Sequence, residues 1–200
     1  MSVRDEVLEV LRSNPASRIR FGFRSVYSLP VSVDPTTFIR VVSAIESDRI
    51  QVSPDVEPGH GGQYDTTQVD GGTFYTRPTR NRRIERSYVI HEAVHASFDI
   101  TRSMIAGVDN EAACFLAQFV YLRIACYPFS TVHSNNANVT RLYEILWQTA
   151  GSIQNGGSVP DARMEEIRQK IMLHPDYRDL RMEGCVSGEP ECFVLFGANG

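Results

Sequence analysis

Residues 91 to 95 read His-Glu-Ala-Val-His, an H-E-x-x-H arrangement inside a run from Ile84 to Thr101 that reads as helix. Residues four apart on a helix sit one turn apart on the same face, so the imidazoles of His91 and His95 can reach one ion. Glu92 projects beside the first histidine, where a carboxylate can take a proton from a metal-activated water. Two imidazoles and a further carboxylate suit Zn2+, with the fourth position left to water. Three fixed positions also arise by chance. Here, however, the flanks Tyr88-Val89-Ile90 and Ala96-Ser97-Phe98 are apolar and predict a buried helix. Unpaired polar groups in such a place cost a few kcal/mol each, and a metal satisfies all three.

The candidate third ligand is Glu111, in the segment Asp109-Asn110-Glu111-Ala112-Ala113, which opens a second apolar run from Ala112 to Tyr127. Asp109 reads as the N-cap of that helix, with Asn110 and Glu111 in its first turn, where negative charge is favoured. The stretch Thr101 to Val108, with Gly107, breaks the first helix and lets the chain turn back, so that two antiparallel helices can bring Glu111 to the histidine pair. The alternative for Glu111 is a plain first-turn carboxylate. Asp99, on the face of His91 and His95, points along the helix and ranks below Glu111 as a ligand. It is better placed to hold a ring nitrogen or an arginine such as Arg102 or Arg123.

The stretch HEAVHASFDITRSMIAGVDNE, residues 91 to 111, resembles the active-site core of the gluzincins, the thermolysin-like metallopeptidases. The resemblance implies zinc ligands at His91, His95 and Glu111 and a general base at Glu92. Asp99 falls where thermolysin-like enzymes carry an Asp, and Glu111-Ala112 with Ala117 is similar to the ligand helix of compact, regulator-cleaving bacterial zincins. Two departures stand out. The loop between His95 and Glu111 is shorter than in thermolysin, and Phe115 occupies the position where the family often places an Asp to orient the first histidine, leaving the partner of His91 unassigned. The Gly and His that metzincins need are replaced by Phe98 and Thr101. The fold this implies is α+β and zincin-like: mainly helical, with a small, mostly antiparallel sheet over the H-E-x-x-H helix.

Two hundred residues are enough for one domain, 1–200, read as N-terminal helices and sheet (1–80), a zinc-binding helix pair (81–127), and C-terminal helices and tail (128–200). A net charge of −4 makes no case for nucleic acid or membrane as partner. The N-terminus lacks the basic start and apolar core of a signal peptide, and no apolar stretch approaches the ~20 residues of a membrane span, so the expected location is cytoplasmic, non-standard secretion aside. Cys114 and Cys126 read as buried thiols in an apolar helix, and Cys185 and Cys192, flanking a Gly-Pro loop, as thiols ahead of a disulfide or a second metal site.

Along the chain, residues 2–13 form an amphipathic helix, and 19–23 and 25–33 read as extended. Asp34-Pro35 opens a helix through about Asp48, and 50–53 reads as a strand. Two strands, 63–69 and 73–77, flank Asp70-Gly71-Gly72 as a hairpin, a candidate edge for an added peptide strand and equally a plain structural hairpin. Arg77, Arg80, Arg82, Arg83 and Arg86 read as a solvated face, with a subsite for acidic groups as the alternative. Residues 138–154 and 160–173 are two more helices.

The expected activity is hydrolysis of a peptide or protein substrate. Its oxyanion donor is sought among His133, Tyr121, Tyr127, Tyr143 and His174; His133, in a polar loop, is the most exposed. The competing readings are a non-hydrolytic zinc module that binds a partner, which has no use for Glu92, and an effector peptidase with a single target.

Overall fold

A computed structural model of the chain describes residues 1–56, 62–68, 71–78, 83–131 and 134–177. Its elements are α1 (Val3–Leu11), α2 (Asn14–Ser17), β1 (Phe21–Arg24), β2 (Pro30–Val33), α3 (Pro35–Glu46), β3 (Gln51–Ser53), β4 (Gly62–Gln68), β5 (Gly71–Thr76), α4 (Arg83–Ile100), α5 (Gly107–Ile124), α6 (Ala137–Ile153) and α7 (Asp161–Met172). The protein is mixed α/β and mainly helical, with two small sheets.

Local chemistry explains the early boundaries. Ser2 caps α1 in a reciprocal box with Asp5, and Asp34 caps α3 in one with Thr37, with Pro35 at the first helical position. β1 and β2 form an antiparallel hairpin, and β1 is held from outside by the α6–α7 connection, where Gly22 N–H donates to Gly157 C=O and Val159 N–H to Gly22 C=O.

The second sheet has the order β3-β5-β4. β4 and β5 pair antiparallel, but β3 runs parallel to β5, so the expected mostly antiparallel sheet is in fact mixed. The hairpin puts β5 in the middle and leaves β4 as an edge. Both β4 and β5 pack on α4, which is also covered by α1, α3 and α5.

Helix α4 is therefore the centre of the molecule. Val89, Ile90, Ala93, Val94 and Ala96 have no solvent exposure, and in α5 every residue from Gly107 to Leu122 is buried. A helix enclosed on all sides is apolar all round and has no polar face to reveal its orientation. Helix α4 ends with Arg102 in the left-handed conformation (φ 48°), where Ser103 N–H donates to Phe98 C=O and Arg102 N–H to Asp99 C=O. Gly107 is the first residue of α5 rather than a breaker of α4. Among the described residues no helix is long and apolar enough to cross a membrane.

Candidate metal centre

The polar contacts between α4 and α5 give their direction. His95, late in α4, meets Asn110 and Glu111 at the start of α5, whereas His91, one turn earlier, meets Gln118, two turns further on. Rising positions on one helix pair with falling positions on the other, so the two are antiparallel, as the turn at 101–106 requires.

This crossing brings three residues together. His95 Nε2 lies 3.3 Å from His91 Nε2 and 3.2 Å from Glu111 Oε1, and His91 Nε2 lies 3.4 Å from Glu111 Oε2. Tetrahedral ligands at zinc-like bond lengths of about 2.0–2.1 Å stand about 3.3–3.4 Å apart, close to the spacing of the two histidine nitrogens and to that of each histidine from one of the two Glu111 oxygens. Glu111 and His91 are almost wholly buried, and His95 keeps 14% of its side chain exposed, so the centre opens toward solvent on the His95 side. Glu111 Oε2 is buried without a hydrogen-bond donor. A cation between the two nitrogens and the carboxylate satisfies all of these atoms at once.

The charges of the metal-free cluster follow from this proximity. Burial alone would push Glu111 up, but the imidazoles of His95 and His91 hold its carboxyl well below the usual range. Burial alone would push His95 down; the Glu111 carboxylate, with a hydrogen bond to Cys114 beside it, outweighs it and holds the ring well above its ordinary value. Cys114 itself is pushed up to about 12 by burial, so it is a neutral thiol and Glu111 is the anion that matters for His95.

Cys114 is nevertheless part of the surroundings. One turn after Glu111, it forms with His91 and His95 a group whose ligand atoms lie within 4.8 Å of one another and which can hold a metal ion. The Glu111 oxygens lie closer to the histidines than that bound, and the Cys114 thiol leans toward Asn110 Oδ1, at 3.6 Å. Both Glu111 and Cys114 thus stand within reach of the histidine pair.

The outer nitrogens of both histidines are held by amides. His91 Nδ1 is 3.2 Å from Gln118 Oε1, and His95 Nδ1 is 3.0 Å from Asn110 Oδ1. Phe115, where the resemblance leads one to expect an aspartate, packs edge-on against the His91 ring at 4.8 Å. Gln118, seven residues after Glu111 and so two turns along the same face, takes that role. That spacing was the available signal for Gln118; nothing local marked Asn110.

Asp99 accepts a 2.9 Å hydrogen bond from the Tyr64 hydroxyl of β4, a partner not anticipated, and of the two arginines anticipated Arg102 acts on it through its charge. Arg123 instead stacks 4.7 Å from the Trp147 ring and donates to its carbonyl. The Tyr64 ring lies over Gly72, where a Cβ would come within 2.6 Å of it. At the near end of β4, a Cβ on Gly62 would stand 3.3 Å from Glu92 Cγ, which places the edge strand directly against Glu92.

Two further corrections concern this region. Asp109 is not the N-cap: α5 starts at Gly107, and the fully buried Asp109 carboxylate takes Arg168 Nε–H of α7 and the Val26 N–H, both at 2.8 Å. Cys126 is exposed beyond the end of α5, whereas Cys114 is buried as expected. Among the oxyanion candidates, His174 is buried and lies 6.5 Å from Phe115; Tyr177, which the sequence did not single out, lies 5.8 Å from the same ring. Tyr143 packs on Phe119 and Phe115, and Tyr121 bonds Ser13. His133, Arg80, Arg82, Cys185 and Cys192 lie outside the described residues, and of the remaining arginines Arg77 is exposed while Arg86 pairs with Glu9. The chain matches no family model, no curated protein and no solved structure significantly.

Proposed function

We propose that the protein is a zinc-dependent peptidase of the gluzincin type, with a zincin-like fold, in which His91, His95 and Glu111 hold the metal and Glu92 is the general base. The observation that carries this reading is the mutual spacing of the three donor groups, 3.2 to 3.4 Å, with Glu111 Oε2 otherwise unbonded in the interior. Zinc bound there would polarise a scissile carbonyl and increase the acidity of the attacking water. Glu92, beside His91 and under β4, accepts the water's proton and passes it to the leaving amine. The edge of β4 supplies backbone groups with which an extended peptide pairs as an added strand, in line with Glu92 through Gly62.

Protein purified without chelator should carry about one zinc per chain. Glu92→Gln should keep that zinc and the fold while losing hydrolysis of denatured casein by at least about two orders of magnitude, the scale of a general base. Folded protein that neither carries nor takes up zinc, or a Glu92→Gln variant of near-full activity, refutes the reading.

The thiol of Cys114 favours one second reading, a closed non-hydrolytic centre in which Cys114 joins His91, His95 and Glu111 as a fourth ligand and leaves no open position. Zinc-edge absorption fine structure separates the two: a sulfur at about 2.3 Å marks the closed centre, and a shell of nitrogen and oxygen alone at about 2.0–2.1 Å marks the open one.

A further inference from the structure

A histidine binds a metal through a ring nitrogen that carries no proton, so the neutral ring must keep its proton on the other nitrogen. What holds the proton of His91 on Nδ1 can be traced atom by atom. Ser87, one turn before His91 on α4, is fully buried, and its hydroxyl lies 2.6 Å from the Ile84 carbonyl. A carbonyl only accepts, so the single Ser87 proton points there. Toward Gln118, 3.3 Å away, Ser87 Oγ can therefore only accept, and the Gln118 atom facing it must be the NH2 group. This turns Gln118 Oε1 toward His91 Nδ1, at 3.2 Å, and an oxygen there can only accept. The relay thereby favours the His91 proton on Nδ1 over Nε2, where the Glu111 carboxylate 3.4 Å away competes for it, and so leaves the Nε2 lone pair facing His95 and Glu111.

We propose that Ser87 and Gln118 are positioning residues that fix the tautomer of His91 through a one-way relay, from His91 Nδ1–H to Gln118 C=O and from Gln118 N–H through Ser87 O–H to the Ile84 carbonyl. This rests on the metal-centre reading above for its purpose, but not for its geometry. A carboxylate in place of Gln118 needs no such relay, because both of its oxygens accept. An amide can be turned end for end, and turned, its NH2 would face Nδ1 and force the proton onto Nε2, the atom needed for the metal. Ser87 prevents the turn, although it touches neither the metal position nor His91.

The test uses the whole chain, with histidine ring nitrogens labelled, in two measurements. Two-bond nitrogen–proton correlation spectra of the metal-free protein, at a pH of about 9 where an ordinary imidazole is neutral, report which His91 nitrogen carries the proton. A chelator competition titration reports zinc affinity. Wild type should show Nδ1–H. Ser87→Ala should give an Nε2–H population and weaken zinc binding about 10-fold or more, within the range of lost partners of a metal-binding histidine. Gln118→Glu alone should keep Nδ1–H and zinc, and Ser87→Ala with Gln118→Glu should restore both, since a carboxylate cannot donate. Nε2–H in the wild type overturns the proposal outright. An unchanged tautomer in Ser87→Ala, or a double variant as impaired as Ser87→Ala, also overturns it, the latter because it assigns the loss to packing. A wild type with Nδ1–H that binds no zinc would leave the relay standing and sink the metal reading instead.

Discussion

The start of α5, which carries Glu111, is anchored by a buried ion pair, and removing one partner has a calculable consequence. Asp109 is wholly enclosed, Arg168 is 6% exposed, and their 2.8 Å contact is supplemented by the Val26 N–H on Asp109 and by Arg168 donating to the Arg24 carbonyl at 2.5 Å. Arg168→Met keeps much of the side-chain volume but leaves a carboxylate in the interior with one backbone donor. Breaking a buried pair in this way costs about 3–5 kcal/mol. At about 2–4 °C per kcal/mol for a chain of this size, the melting temperature should fall by about 6–20 °C. Adding Asp109→Asn removes the stranded charge while keeping an acceptor for Val26, so the double variant should recover at least about half of the loss, as expected when the penalty lies in the unpaired group rather than in the bond. Calorimetric melts of wild type and of the two variants measure this directly. A loss below about 1 kcal/mol for Arg168→Met, or a double variant less stable than the single one, would show that the pair does not anchor α5 as argued.

The same reasoning yields three more expectations. In a chelator competition, Glu111→Ala should weaken zinc binding by far more than Asp99→Asn or Cys114→Ser, neither of which should exceed the about 10 to 100-fold of an outer partner; Cys114→Ser stripping the metal while Glu111→Ala retains it would make the thiol the ligand. The pH dependence has a definite sign: the raised His95 contributes stability to the metal-free protein that is full below its ordinary 6.5 and fades as pH rises through its folded value, and the depressed Glu111 contributes stability present above its ordinary 4.5 and lost as pH falls through its folded value. Zinc must displace the His95 proton, so the zinc-induced gain in melting temperature should grow as pH rises above the ordinary histidine range, and a gain that shrinks there contradicts the assignment. Gly62→Val should lower turnover by about 10 to 100-fold with zinc content unchanged, because its side chain crowds Glu92 from the β4 edge; full turnover would mean that β4 does not set the position of the base.

What could be read from the chain and what could not divide along a physical line. The elements were legible because each is marked by its own neighbours: the Asp34-Pro35 start of α3, the glycines that open β5, and the apolar runs of α4 to α7 all fall within a few residues of their structural bounds. His91, Glu92 and His95 were legible because their relation is internal to one helix. The errors concern choices that one helix alone does not make. Asp109 has the chemistry of a cap and sits near the start of α5, yet the helix begins two residues earlier, because Arg168, some sixty positions downstream, offers its carboxylate a stronger partner than a backbone N–H. Cys126 continues an apolar pattern but falls where the chain has already left the helix, in a left-handed turn at φ 56°.

The partners of the histidines were hidden for a related reason. Since α5 is enclosed on every side, its sequence does not announce which face meets α4, so Glu111 could be singled out by its charge but Asn110 and Gln118 looked like ordinary polar residues in an apolar run. Once Glu111 is set against His95, the helical repeat allows only positions three, four or seven further on to reach back toward His91. Phe115 at four and Gln118 at seven are there, one packing on the ring and the other holding its nitrogen. Replacing a charged orienting group by an amide leaves the buried centre with one anion fewer, but it makes the direction of the hydrogen bond depend on what lies behind the amide. Ser87 thereby acquires a role that its own position, a buried serine one turn before a histidine, does not disclose.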